Sequence, residues 1–124
     1  MVQAVRAGLA DGRGAVVANL HATSYPPDHR LPEVELRRAA DWVDSLSRPG
    51  DVVILGGDLN QSVRSSPLLG ELAEKGYSAP GPGIDHILVR GAELVQPLSS
   101  WPDARRRLEG KLLSDHAPVE LTIR

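Results

Sequence analysis

The sequence predicts an α/β (α+β) fold, one mixed β-sheet carrying two or three helices. Three observations lead there. Val52-Val53-Ile54-Leu55 is apolar at every position, as in a central strand covered on both faces. Residues 31–47 repeat their apolar side chains at helical spacing. From Ala117 to Arg124, apolar and polar residues alternate, as in a strand with one wet face. The 124 residues are enough for one modest domain with a single core.

Taken in order, Val2 to Leu9 alternates weakly, and Ala10-Asp11-Gly12-Arg13-Gly14 reads as a hairpin turn marked by Asp-Gly. Ala15 to Ala22 is the returning strand, and residues 23–30, with Pro26 and Pro27, are loop. The helix from Leu31 to Ser47 has Pro32 at its start and Glu33 and Glu35 at the positive end of its dipole. Its stripe is Leu36, Ala39, Ala40, Val43 and Leu46, and Pro49-Gly50 stops it. The buried strand from Asp51 to Gly57 delivers Asp58, Leu59 and Asn60 at its end. A short helix runs from Ser66-Pro67 to about Lys75, and Gly81-Pro82-Gly83 turns into a strand over Ile84 to Val89. Ala92 to Leu98 is expected to pair back on it through Arg90-Gly91. Trp101 to Gly110 is loop or short helix, and the alternating strand closes the chain.

Composition narrows the chemistry. Hydrophobic residues are 41% and charged residues 24%, ordinary for a globular chain. There is no Phe, so the core is aliphatic. Without cysteine, disulfides and thiolate metal sites are excluded, and any metal is held by carboxylate, amide or imidazole groups, which suits Mg²⁺ or Mn²⁺. A net charge of −2 gives no basic field to attract nucleic acid or acidic membranes. No apolar run approaches the roughly 18 residues of a membrane span, and residues 1–14 lack the apolar core of a signal peptide. Localisation is left open, cytoplasmic by default. Arginine outnumbers lysine twelve to two, a bias that points to a GC-rich bacterial source.

Four segments place polar groups at strand ends: Asn19-Leu20-His21, Gly57-Asp58-Leu59-Asn60, Ile84-Asp85-His86 and Ser114-Asp115-His116. Singly, each reads as well as a turn or a half-buried histidine. In this order, and followed by Ala117-Pro118-Val119, they resemble the second half of the endonuclease/exonuclease/phosphatase superfamily, deoxyribonuclease I-like metal-dependent phosphoesterases. The likeness runs from about Ala15 to Ile123.

The resemblance implies a Mg²⁺- or Mn²⁺-dependent hydrolysis of a phosphodiester or phosphomonoester by an activated water. His116 resembles the catalytic histidine, and Asp85 the carboxylate that orients it. Asp58 and Asn60 resemble the pair that aligns the water and bonds the phosphoryl oxygens; either Asp58 or His116 is the base. Asp115 resembles a metal ligand and His21 a donor to a phosphate oxygen. Tyr25, in the Pro-rich loop beyond His21, reads equally as lining the substrate cleft or as anchoring its loop. His29 and His86 read as structural or surface residues. Trp101 reads as loop packing, and the arginines at 105–107 with Lys111 as either a solvated face or a substrate contact.

The family's domain is a four-layer α/β/β/α sandwich of roughly twice this length, and its first half contributes an Asn and a Glu to metal binding. Neither has a counterpart here, so residues 1–124 are expected to be the C-terminal half of such a domain, with a sheet face left bare. Three readings stand on the sequence: half of a phosphoesterase, an inactive truncated or split fragment needing a partner half in cis or trans, and a non-enzymatic binding module on the same scaffold. The substrate, whether nucleic acid, phospholipid or inositol phosphate, is not written in it.

Overall fold

The structure is a computed structural model and describes residues 1–24, 27–28 and 30–124. Its first hairpin joins β1 (Val2–Gly8) to β2 (Gly14–Leu20), antiparallel and in full register from Val2 opposite Leu20 to Gly8 opposite Gly14. The turn is closed by the Leu9 amide donating to the Arg13 carbonyl at 2.8 Å, with Gly12 at φ 87°. That conformation suits a residue without a Cβ, which is why Asp-Gly marks it in the sequence.

The chain then crosses through α1 (Arg30–Leu46) to β3 (Val52–Asp58), which lies parallel to β2. After α2 (Pro67–Glu74), β4 (Asp85–Arg90) returns antiparallel to β3, giving a four-stranded mixed sheet in the order β1-β2-β3-β4. The all-apolar segment is therefore an inner strand, with Val52, Val53 and Leu55 buried. Leu36, Ala39, Ala40 and Val43 of α1 and Leu68, Leu69 and Leu72 of α2 join Val16, Leu55 and Leu88 in one core. Both helices thus cover the same face of the sheet. Leu46, the last residue of the expected stripe, is 40% exposed. No basic residue lies in the last turn of α1. The Arg6 guanidinium of β1 supplies that charge instead, donating to the Leu46 carbonyl at 3.0 Å and pairing with Asp51 at 2.7 Å.

The last third departs from expectation. The strand after Gly91 does not pair back on β4. It runs as β5 (Leu94–Ser100) and pairs antiparallel with β8 (Val119–Ile123), forming a second, two-stranded sheet. Gly91 at φ 80° turns the chain off the first sheet, and paired Glu93–Arg124 backbone bonds start the new ladder. Pro97, which has no amide hydrogen, sits within β5, whose register shifts twice. Residues 101–110 hold a 3₁₀ turn (Asp103–Arg106) and then a small hairpin of β6 (Arg107–Leu108) and β7 (Lys111–Leu112). Glu109 and Gly110 both have positive φ at its tip.

Leu121 and Ile123 of β8 pack on Ala15, Val52 and Val89 on the face of the first sheet opposite the helices. Helices, four-stranded sheet and two-stranded sheet are thus stacked as three layers. The second sheet covers only part of that face: Val5 and Val17, on its β1–β2 side, are 65% and 38% exposed.

Candidate active site

Topology brings the four polar segments to one edge. Strand β2 runs parallel to β3, so the residues after Leu20 and Gly57 leave at the same end. Strand β4 runs the other way and begins there, with Asp85 the register partner of Asp58. The segment Ser114–His116 enters β8 at this end too, as the hydrogen bond from His116 to Asp85 requires.

Asp58 and Asp85 thus face each other as neighbours across two strands, an arrangement that is costly for two charged carboxylates unless a cation or proton donor joins them. His116 does so. Its Nδ1 donates to Asp85, at 2.9 Å from Oδ2 and 3.1 Å from Oδ1. That bond fixes the tautomer and leaves Nε2 facing Asp58 Oδ2 at 3.8 Å. The hydrogen bond from His116 to Asp85, the charge of Asp85, and then the charges of Asp58 and Asp115 raise the His116 pKa above its ordinary value. The imidazole is 42% exposed, so it meets solvent.

The Asp58 carboxylate is placed by its own loop. Its Oδ1 accepts the Asn60 amide at 2.9 Å, closing a turn in which Asn60 takes φ 49°, a left-handed conformation asparagine tolerates. The Asn60 side chain donates to the Ala22 carbonyl at 2.7 Å, clipping this loop to the end of β2. His21 lies on the rim, 75% exposed, with Nε2 3.7 Å from Asp58 Oδ2. Asp115 is exposed, beside His116 in sequence. Tyr25 and His29 lie outside the described residues. The structure therefore brings together Asp58, Asp85, His116 and His21, sets Asn60 behind Asp58, and leaves Asp115 at the surface.

The donor atoms of Asp58, Asp85 and His116 lie within 4.8 Å of one another, a possible metal site. Carboxylate oxygens with an imidazole suit a hard divalent cation in kind. In the arrangement seen, both Asp85 oxygens lie within hydrogen-bonding distance of His116, and Asp58 Oδ2 faces His21 Nε2 and His116 Nε2 at 3.7 and 3.8 Å.

Residues read from the sequence as structural, surface or charge-run positions support this site. His86 is fully buried: Nδ1 accepts the Gly81 amide at 3.2 Å, and Nε2 donates to the Gln61 carbonyl at 2.8 Å. It ties together the loops that flank Asp58 and Asp85. The Arg106 side chain, only 13% exposed, donates to the Ser114 carbonyl at 2.7 Å and pairs with Asp103, bracing the segment that carries His116. No local pattern marks that role, because its partner is eight residues away on the far side of a hairpin.

The family model described as "Endonuclease/Exonuclease/phosphatase family" matches residues 2–116. The chain belongs to the endonuclease/exonuclease/phosphatase family. No curated protein matches it in sequence. Among solved structures it is similar to truncated Caenorhabditis elegans TDP2, with a TM-score of 0.68 and 18% identity, over 98% of this chain and 58% of that one. A second Caenorhabditis elegans TDP2 structure gives 0.67 and 19%, over 98% and 45%. A functionally unknown conserved protein from Enterococcus faecalis V583 gives 0.60 and 20%, over 90% and 50%. The family chain described here thus spans about half the length of the solved structures it matches, and at these identities the likeness establishes the fold. No helix among the described residues is long and apolar enough to cross a membrane.

Proposed function

We propose that this chain is the C-terminal half of a metal-dependent phosphoesterase domain and that His116, oriented by Asp85, activates water against a phosphoester. The observation that carries this is the hydrogen-bonded pair of His116 Nδ1 and Asp85, with Nε2 opposite Asp58 Oδ2 at 3.8 Å. A separation of that size lets one water hydrogen-bond to both groups. His116 takes a proton at Nε2 as the water oxygen bonds to phosphorus, while the ester oxygen leaves with the P–O bonding electrons. Asp85 stabilises the imidazolium that forms, as the carboxylate of a catalytic triad does. Asp58 holds the water in line. His21, on the rim, donates to a non-bridging phosphoryl oxygen, with Asn60 behind Asp58. A Mg²⁺ or Mn²⁺ ion, held by Asp115 and the free edge of Asp58, would supply positive charge to the phosphoryl oxygens.

The test is hydrolysis of bis(4-nitrophenyl) phosphate with Mg²⁺, Mn²⁺ or EDTA. His116→Ala and Asp58→Asn are each expected to lower turnover about 100-fold or more. Unchanged turnover in His116→Ala overturns the assignment. A second reading, completion of the site by a separate half, is favoured by the bare β1–β2 face around Val5 and Val17. It predicts no turnover by the folded chain alone and turnover once an N-terminal half of the domain is joined or mixed with it.

A further inference from the structure

A cavity of about 470 Å³ is lined by Asp58, Asp85 and His116. Its size lies within the roughly 300–1,000 Å³ of small-ligand sites. The same cavity is lined by Arg105 and Arg106, with Ile87 and Val119 among its apolar residues. Arg106 is fully committed, to Asp103 and the Ser114 carbonyl. Arg105 is not. Its guanidinium carbon lies over the Trp101 ring, 3.8 Å from the centroid, a cation–π contact that restrains the group. Its ion pair with Glu120 is long, 3.5 Å, between side chains that are both about half exposed, and so contributes little. Trp101 lines the same cavity, and its indole N–H is buried with no acceptor among the described residues.

A cation held by stacking but weakly paired, in the same cavity as a phosphoesterase centre, is suited to hold a second anion of the substrate. We infer that Arg105, stacked on Trp101, forms a subsite for a second phosphate, so that the substrate is a small phosphoester carrying another phosphate within reach of the same cavity. This rests on the phosphoesterase reading of Asp58, Asp85 and His116. Arg105 sets specificity here; it does not touch the reacting atoms.

The test compares thymidine 5′-monophosphate with thymidine 3′,5′-bisphosphate by calorimetric titration in Mg²⁺, with ligand integrity followed by ³¹P NMR. Wild type is expected to bind the bisphosphate about 10-fold more tightly, in line with one charge-assisted contact. Arg105→Gln is expected to bring that ratio below about 2 while the monophosphate affinity stays unchanged, and Arg105→Lys, which keeps the charge without the stacked plane, to fall between. Equal affinities in wild type, a ratio that survives Arg105→Gln, or no binding of either nucleotide overturns the subsite. The two readings fail separately. A flat ratio in a chain whose hydrolysis needs His116 removes the subsite alone. A ratio that depends on Arg105, with hydrolysis indifferent to His116→Ala, removes the catalytic reading alone.

Discussion

Gly57→Ala tests the architecture where it meets the chemistry. Gly57 lies in β3 at φ 133°, a conformation that L side chains rarely adopt. A Cβ there would press into the Leu20 carbonyl oxygen and come within 2.9 Å of Asn19 Oδ1. Both neighbours belong to β2, whose end is fastened to β3 by the Ala22 amide on the Asp58 carbonyl at 2.9 Å and by the Asn60–Ala22 bond at 2.7 Å. Relief therefore requires the two strands to part beside Asp58. Backbone strain of about 1–3 kcal/mol adds to about 0.5–1.5 kcal/mol for each of these two hydrogen bonds, a total of about 2–6 kcal/mol. Against the ~5–15 kcal/mol of an ordinary domain and a urea slope of about 1–3 kcal/mol/M, the unfolding midpoint should fall by about 1–3 M urea, read by far-UV circular dichroism. Gly70→Ala is the control. That site is exposed within α2 and meets nothing within 4 Å, so alanine should stabilise by about 0.5–1 kcal/mol. A Gly57→Ala midpoint within about 0.3 M of wild type would refute the close approach of the ends of β2 and β3 and the placement of Asp58 that depends on it.

Asp85→Asn should move the His116 titration down toward the ordinary histidine value, because the hydrogen bond and charge of Asp85 are the leading causes of its rise. The imidazole Cε1–H resonance reports it, and an unmoved midpoint would dissolve the pair. The sign for stability follows. With the folded value raised, the favourable contribution is complete below the unfolded histidine pKa and fades as pH climbs through the folded one, and it should be small at so exposed a group. His86→Ala strands the Gly81 amide and the Gln61 carbonyl and opens a hole in the core. A loss of about 3–5 kcal/mol is expected, seen calorimetrically as a melting point lower by ~10 °C or more. Val5→Asp, on the bare face, should shift stability by less than about 0.5 kcal/mol yet block completion by an N-terminal half in a mixing assay. Full completion would move the docking face elsewhere.

What was legible in the sequence was what local chemistry decides. Val52 to Leu55 has nowhere polar to point, so it is an inner strand. Asp11-Gly12 supplies the positive φ its turn needs. The stripe from Leu36 to Val43 has one face to bury and buries it. The joint reading of the four polar segments comes from their order and its resemblance to the family, since a position at a strand end does not say which edge it shares. What failed was pairing at a distance. Nothing within residues 92–98 states that the partner is β8 rather than β4; that choice is made by the turn at Gly91 and by ladder bonds to Arg124. The β6–β7 hairpin is carried by Glu109-Gly110, a weaker turn signal than Asp-Gly or Asn-Gly. The three consecutive arginines read as one charge run, yet Arg105 stacks on Trp101, Arg106 braces Ser114, and Arg107 donates to the Gly110 carbonyl. A 3₁₀ turn running into a strand points neighbouring side chains in different directions, and no helical or strand period foretells it.

The same geometry separates the proton chemistry from the metal. An imidazole whose Nδ1 lies within hydrogen-bonding distance of both Asp85 oxygens cannot share that carboxylate with a cation without weakening the bond that orients it. Asp58 gives one oxygen to the Asn60 amide. Among the described residues, what remains for a metal is then the other Asp58 oxygen, with Asp115 exposed beside His116 as the proposed second ligand. Mg²⁺ keeps several waters and accepts one or two carboxylates, so such donors would hold an ion weakly. Among the described residues the arrangement therefore orients an imidazole more firmly than it would hold a cation, and under the proposed reading His116 and Asp85 would carry the proton chemistry at the edge of β3, β4 and β8.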